Sequence, residues 1–248
     1  MPQQRLDKII ASTGRFSRRE VKVLVREGRV LVDGRAAKSA EEKYDPLAVS
    51  LTVNGEALDY REHTWVMLHK PAGVLSATED GRGATVLDLL PLEYRRLGLF
   101  PVGRLDKDTE GLLLLTDDGA LAHELLAPKK HVDKVYFVRV DGALDIADCK
   151  AFAQGITLGD GLACLPAKLE ILKSGAQSEA LVTLHEGKFH QIKRMLASRG
   201  KPVVYLKRLS MGPIALDGSL AAGEHRLLTA QEIALLRAGG QIAQGNVC

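Results

Sequence analysis

GRLDKDTEGLLLLTDDG, from Gly103 to Gly119, joins a short loop rich in carboxylates to four consecutive leucines. Carboxylates favour water and Leu112 to Leu115 favour a core, so the stretch predicts an acidic loop at the rim of a buried element. Rims of that kind are where sites are built. The leucines predict the strand that holds the loop. Asp117-Asp118-Gly119 predicts a turn and cap into a helix from about Ala120 to Leu126, which Pro128 limits.

On the upstream side, Leu99 to Val102 predicts the strand that leads into the loop. Earlier still, Trp65 to Leu68 predicts a strand entering the turn His69-Lys70-Pro71-Ala72-Gly73, and Thr78 to Thr85 predicts a mobile loop around Gly81 and Gly83. Gly-Arg-Gly lacks the spacing of a phosphate-cradling loop. Downstream, Lys134 to Val140 predicts a strand with Tyr136 on the face opposite Val135 and Phe137. A helix over Asp145 to Gln154, a hairpin around Gly159-Asp160-Gly161 and a strand over Ala180 to Leu184 follow. Phe189 to Arg199 predicts a basic amphipathic helix, then come a strand over Val203 to Leu206, a short Met211 to Leu216 piece and a last helix from Ala230 to Ala238. Helices and strands mix without steady βαβ alternation, so the expected class is α+β.

At 248 residues with 46% apolar content, the chain predicts one to two domains and an ordered core. No apolar run approaches the ~20 residues needed to cross a bilayer, and Met1 to Ile10 lacks a signal-peptide stretch, so a soluble cytoplasmic protein is expected. Cys149, Cys164 and Cys248 suggest neither a disulfide framework nor a zinc site. The net charge of +3 hides an asymmetry: residues 1–38 carry ten Lys or Arg against four Asp or Glu, a balance of +6 that leaves −3 for the rest. That concentration points to a basic module meeting something anionic.

Within that module, Leu6, Ile9 and Ile10 fall at helical spacing before Gly14. Ser17 and Glu20 form a capping-box pattern for a second helix with Val21, Leu24 and Val25 on its apolar face and Gly28 at its end. Arg18, Arg19, Lys22 and Arg26 fall on its solvent side. Val30 to Val32 run into Asp33-Gly34 and Val49 to Val53 into Asn54-Gly55, two strand-then-turn signals that predict hairpins.

The acids of the central loop admit several chemistries. Asp106, Asp108, Glu110, Gly111 and Asp117 match positions one, three, five, six and twelve of an EF-hand count, but Pro101 and Gly103 break the upstream helix that such a site needs, and no metal is expected. A paired-carboxylate hydrolase using Asp106 and Asp108 would need a defined gap between them. Simple solvation of a turn is the ordinary role of any single Asp.

The residues now in view carry two resemblances. Arg5 to Arg35, RLDKIIASTGRFSRREVKVLVREGRVLVDGR, resembles the small S-four-type RNA-binding domain over roughly the first sixty residues. GRLDKDTEGLLLLTDDG resembles the signature of RNA pseudouridine synthases, in the small-subunit ribosomal pseudouridine synthase A branch. HKPAGVLSAT (His69 to Thr78) resembles that family's NKPxGxxxS turn, with His69 for Asn. KVYFVRV (Lys134 to Val140) and EGKFHQIKRM (Glu186 to Met195) resemble two further motifs, in the right order, with Phe189 for Tyr.

These resemblances imply a residue 1–60 RNA-binding domain of two helices and a small sheet. Residues 61–248 would then be a catalytic domain on a mixed, largely antiparallel sheet flanked by helices. They imply a cofactor-free isomerase that converts a uridine of ribosomal RNA, foremost small-subunit RNA, to pseudouridine. Asp106 would act at the sugar as nucleophile or base, Tyr136 would pack on the target base, and Lys193 would pair with Asp106. Arg104 would assist base flipping, and Arg18, Arg19, Lys22 and Arg26 would meet RNA. Arg194, about 100° round the helix from Lys193, is expected to meet RNA phosphate or else the protein surface. His190 and Gln191 are left out of the catalytic set, and Asp108 and Glu110 are assigned to loop solvation. The expected partner is ribosomal RNA or a subunit assembly intermediate, met by a monomer without a membrane. The same surfaces could serve a catalytically silent assembly factor, or the same reaction could fall on large-subunit RNA.

Overall fold

The computed structural model describes residues 3–127 and 130–239, so Cys248 lies outside the described residues. Pro128, expected to limit the helix after the acidic loop, also falls outside them. The chain divides into two compact units. One holds the residues up to Thr64 together with Leu90–Leu99, and the other holds Trp65–Leu89 and the chain from Phe100 onward.

The first unit runs β1 (Gln4–Arg5), α1 (Leu6–Ala11), α2 (Arg18–Arg26), β2 (Val30–Val32), β3 (Arg35–Ala36), β4 (Lys43–Tyr44), β5 (Leu51–Val53), β6 (Glu56–Ala57) and the short α3 (Leu92–Arg95). The Ser17 side chain accepts from the Glu20 amide while the Glu20 carboxylate accepts from the Ser17 amide, so the predicted capping box starts α2. Leu6, Ile9, Ile10, Val21, Leu24 and Val25 bury against Val30, Val32, Leu51 and Val53. Asp33 and Gly34 have φ of +49° and +76°, and Asn54 and Gly55 have +56° and +83°. Such pairs close two-residue hairpins, and the sheet runs β3-β2-β5-β6. Gly14 explains why Leu90–Leu99 belongs here: a Cβ on it would lie 2.1 Å from the Glu93 carbonyl oxygen.

The second unit runs β7 (Trp65–Lys70), β8 (Phe100–Pro101), β9 (Glu110–Thr116), α4 (Gly119–Leu126), β10 (Lys134–Asp141), α5 (Ile146–Gln154), β11 (Lys168–Lys173), β12 (Gln177–Leu184), α6 (Gln191–Ser198), β13 (Val203–Met211), β14 (Ile214–Ala215), β15 (His225–Leu227) and α7 (Ala230–Arg237). Its sheet is ordered β11-β12-β10-β13-β9-β7-β15, with β14 on β13 and β8 on β9. Every pairing is antiparallel except β13 with β9, where Lys207 faces Glu110 and Arg208 faces Gly111. The fold is therefore α+β on a mixed, largely antiparallel sheet.

β9 is central, and Leu112 to Leu115 are each fully buried because both faces of the strand are covered. Leu112 and Leu114 join Trp65, Met67, Leu121 and Leu125 in one cluster. The Asp118 carboxylate caps α4 by accepting from the Leu121 amide at 3.0 Å. On β10 the buried face carries Lys134, Tyr136, Val138 and Val140. β11, β15 and the two-residue strands leave little trace in the sequence. β11 has mostly solvent-facing residues and β15 spans three, too little apolar alternation to stand out. β13 continues past the predicted Leu206 because Lys207 and Arg208 extend it beside β9.

Candidate active site

The acidic loop leads into β9 and is held from beneath by groups upstream in the chain. Lys70, at the end of β7, is fully buried, and its Nζ donates to the carbonyls of Thr109 at 2.8 Å, Pro71 at 3.0 Å and Lys107 at 3.2 Å. Ser76 Oγ donates to the Leu105 carbonyl at 2.9 Å and lies 3.1 Å from the Leu105 amide, which donates back to it. The Gly73 amide donates to the Lys107 carbonyl at 2.8 Å. The loop backbone from Leu105 to Thr109 is thus fixed by the turn that follows β7. Burial pulls the Lys70 ammonium down to about 8, with Asp108, Asp106 and Glu110 offsetting part of that shift.

Gly111 closes the loop at φ +104°, and a Cβ there would lie 2.2 Å from the Arg208 carbonyl oxygen. Only glycine allows the β9–β13 seam at this point. Arg208 is buried and its Nε donates to the Leu112 carbonyl at 2.7 Å. Tyr205 donates its hydroxyl to Glu110 at 2.8 Å.

Above this base, α6 brings Lys193 to the loop. Its Nζ lies 3.0 Å from Asp106 Oδ2 and 2.5 Å from Asp108 Oδ1. The Asp106 and Lys193 side chains are about one-quarter exposed, whereas Asp108 is 74% exposed. Burial alone would lower the Lys193 ammonium, but the two carboxylates outweigh it and hold it above the ordinary lysine value. The hydrogen bond from Lys193 in turn holds the Asp108 carboxyl below the usual range. Asp108 is therefore more than a solvated loop acid: it shares the lysine with Asp106. Glu110 likewise has a specific partner in Tyr205.

Asp106, Tyr136, Lys193 and Arg104 line one cleft, together with Leu184, Gly187, Lys188, His190 and Leu206. Tyr136 reaches it from the buried face of β10, and Arg104 is exposed at the loop. His190, outside the predicted catalytic set, has its Nε2 3.6 Å from Asp106 Oδ1. It starts α6 in the left-handed region at φ +49° and ψ +35°. Its sequence signal is its place beside Gln191 in the HQ pair, but only α6 packing discloses its proximity to Asp106. Gln191 instead joins Glu186 at 2.7 Å and the Lys188 amide at 3.0 Å, bracing the start of the helix.

The predicted RNA-contact residues have diverse settings. Arg194 pairs with Asp160 at 2.5 Å. Arg18 pairs with the buried Asp7 at 2.9 Å, Lys22 lies 3.4 Å from Glu41, and Arg26 Nε donates to the Lys22 carbonyl at 3.2 Å. Burial would raise the Asp7 carboxyl, but Arg5 and Arg18 outweigh it and hold it below the usual range. Arg19 is exposed on α2.

Strands rather than helices flank the acidic loop, unlike an EF-hand. Among the described residues, no group of three or more His, Cys, Asp or Glu side chains could hold a metal ion, and no helix is long and apolar enough to cross a membrane. What the cleft offers is a carboxylate directed by an ammonium group, a buried tyrosine and a wall of apolar side chains. That set can attack or deprotonate a sugar while holding a planar base.

Residues 64–198 match the family described as RNA pseudouridylate synthase, and residues 4–46 match the S4 domain. The chain is 50% identical to an uncharacterized RNA pseudouridine synthase of Bacillus subtilis, covering 94% of this chain and 98% of that protein. It is 38% identical to the ribosomal small subunit pseudouridine synthase A of Vibrio cholerae, over 93% and 98% of the two chains. It is 36% identical to the ribosomal large subunit pseudouridine synthase B of Bacillus subtilis, over 95% and 96%. A crystal structure of a pseudouridylate synthase matches with a TM-score of 0.65 and 36% identity, over 94% of this chain and 99% of that one. With its fold, its acidic loop and these relatives in agreement, the chain belongs to the RNA pseudouridine synthases, isomerases acting on RNA, and carries an amino-terminal S4 domain.

Proposed function

We propose that this enzyme isomerises a specific uridine of ribosomal RNA, foremost of the small subunit, with Asp106 as the reacting carboxylate. The observation that carries the assignment is the Asp106–Lys193 pair at 3.0 Å in a cleft shared with Tyr136. The reaction breaks the bond from the ribose anomeric carbon to nitrogen 1, turns the base, and joins the same carbon to carbon 5. The carbon 5 proton is lost and nitrogen 1 gains one, so the overall change is an isomerisation that needs no redox partner and no cofactor.

Asp106 acts at the sugar, either by bonding to the anomeric carbon or by accepting a ribose proton. A carboxylate is already ionised at neutral pH, so Lys193 is not needed to charge it. The ammonium group offsets the cost of removing that carboxylate from water as RNA covers the cleft, and fixes its direction. Tyr136 packs on the flipped base and takes part in removing the carbon 5 proton. Arg104, exposed at the cleft, supports extrusion of the uridine, which costs a few kcal/mol.

The small-subunit choice is supported by relatives at 37–39% identity named ribosomal small subunit pseudouridine synthase A. The relative named for the large subunit, at 36%, favours large-subunit RNA as the second reading. The amino-terminal S4 domain supports ribosomal RNA, free or in an assembly intermediate, as the partner. A ribosomal RNA substrate supports the cytoplasmic location expected from the sequence.

Asp106→Asn keeps the side-chain shape and removes the charge. It should bind RNA like the native enzyme and release no tritium from RNA labelled at carbon 5 of uridine. Near-native release would refute the role of Asp106. Comparing pseudouridine maps of ribosomal RNA from cells with and without the protein identifies the subunit and the uridine.

A further inference from the structure

Phe189 is 74% exposed, the most open of the large apolar side chains among the described residues. A single exposed apolar residue is ordinary on a protein surface. Phe189 differs in its setting. Its ring stacks on His190 with centroids 3.9 Å apart and planes 17° from parallel. His190 in turn lines the cleft and approaches Asp106 at 3.6 Å. The strained left-handed backbone of His190 is a feature that persists where surrounding structure maintains it, often at ligand sites. One face of the phenyl ring is covered by imidazole, and the side chain remains open to solvent.

Arg104, exposed at the same cleft, offers positive charge to a phosphate chain passing it, and Lys188 also lines the cleft with its ammonium 3.1 Å from the Glu186 carboxylate. An aromatic face beside basic side chains is the arrangement on which unpaired bases stack, without regard to their sequence. We infer that Phe189 is a stacking site for an unpaired nucleobase of the substrate RNA next to the target uridine, with His190 as the inner layer of the stack. This inference rests on the Asp106 site described above. A phenyl ring serves as well as a phenol here, since the stack uses the ring face and no hydroxyl.

The test uses the full-length enzyme and ribosomal RNA transcribed with uridine tritiated at carbon 5. Phe189→Ala should raise KM by about fivefold to a hundredfold, the usual cost of losing one base stack, with kcat nearly unchanged. Phe189→Leu, which keeps apolar bulk without a π face, should resemble Phe189→Ala, and Phe189→Trp should restore the native KM. An unchanged KM in Phe189→Ala overturns the inference. A fall in kcat at constant KM also overturns it, because Phe189 would then act through His190 on Asp106. Placing Phe189→Ala in the Asp106→Asn background separates the two assignments. Loss of affinity by the same factor supports stacking even if Asp106→Asn itself turns over, whereas unchanged affinity refutes stacking.

Discussion

Two buried lysines in the catalytic unit differ in what their ammonium groups hold. Lys70 donates to three loop carbonyls, whereas Lys134 has one carbonyl partner, Val132, at 3.0 Å. Burial pulls Lys134 down to about 8, with Arg208 adding to the shift and Asp133 opposing it. An unfolded lysine keeps its proton to about 10.4, so between those values the unfolded chain holds more protons than the native one. The contribution of Lys134 to stability is therefore full above the unfolded value and lost as pH falls through about 8. Lys134→Met should stabilise the protein by about 1–2 kcal/mol at pH 7 and lessen the rise in stability between about pH 8 and about pH 10.5, as read by urea unfolding at stepped pH. Lys70→Met has the opposite expected outcome. It takes the lysine donor from the Thr109 and Pro71 carbonyls and leaves the Lys107 carbonyl with the Gly73 amide alone, so stability should fall by about 1–3 kcal/mol and tritium release by at least about tenfold as the Asp106 loop loosens.

Among the elements, the parallel seam between β9 and β13 fixes the end of the loop that carries Asp106. Gly111→Ala places a methyl against the Arg208 backbone and forces a side chain into φ +104°. The expected loss exceeds about 3 kcal/mol in urea unfolding. Gly34→Ala is the control: Gly34 has φ +76° with open space around its Cβ position, so only backbone strain of about 1–2 kcal/mol applies. On α2, the basic residues divide between structure and surface. Arg18 holds the buried Asp7, so its removal would confound binding with folding. The exposed Arg19 and Arg26 give the cleaner experiment. Arg19→Ala with Arg26→Ala should weaken RNA binding and reduce the slope of log affinity against log salt by roughly one for each phosphate no longer neutralised, with unfolding unchanged.

Across the full chain, the basic bias of residues 1–38 and the catalytic cleft belong to different compact units. The S4 domain and the cleft around Asp106 can therefore be tested separately. The division carries an experimental consequence. Because Leu90–Leu99 packs within the first unit, cutting away residues 1–60 would remove the Gly14 backbone that Glu93 approaches and expose that segment. Point substitutions on α2 test the RNA role without that disturbance.

Features that depend on near neighbours in the chain were legible before folding was considered. The Ser17 capping box, the left-handed Asp33-Gly34 and Asn54-Gly55 turns and the buried Leu112 to Leu115 run follow from hydrogen bonds and side-chain patterns a few residues long. The motif around Asp106 also pointed to the family, because four short patterns recur in order. Contacts between distant segments came only with the assembled fold. Lys193 meets Asp108 across 85 positions, and Lys70 reaches the Thr109 carbonyl across 39. Neither the sharing of Lys193 between two carboxylates nor the proximity of His190 to Asp106 could be read from spacing. Both arise because α6 packs over the loop that β9 and β7 hold, and such packing is set by the shape of the assembled core rather than by local sequence.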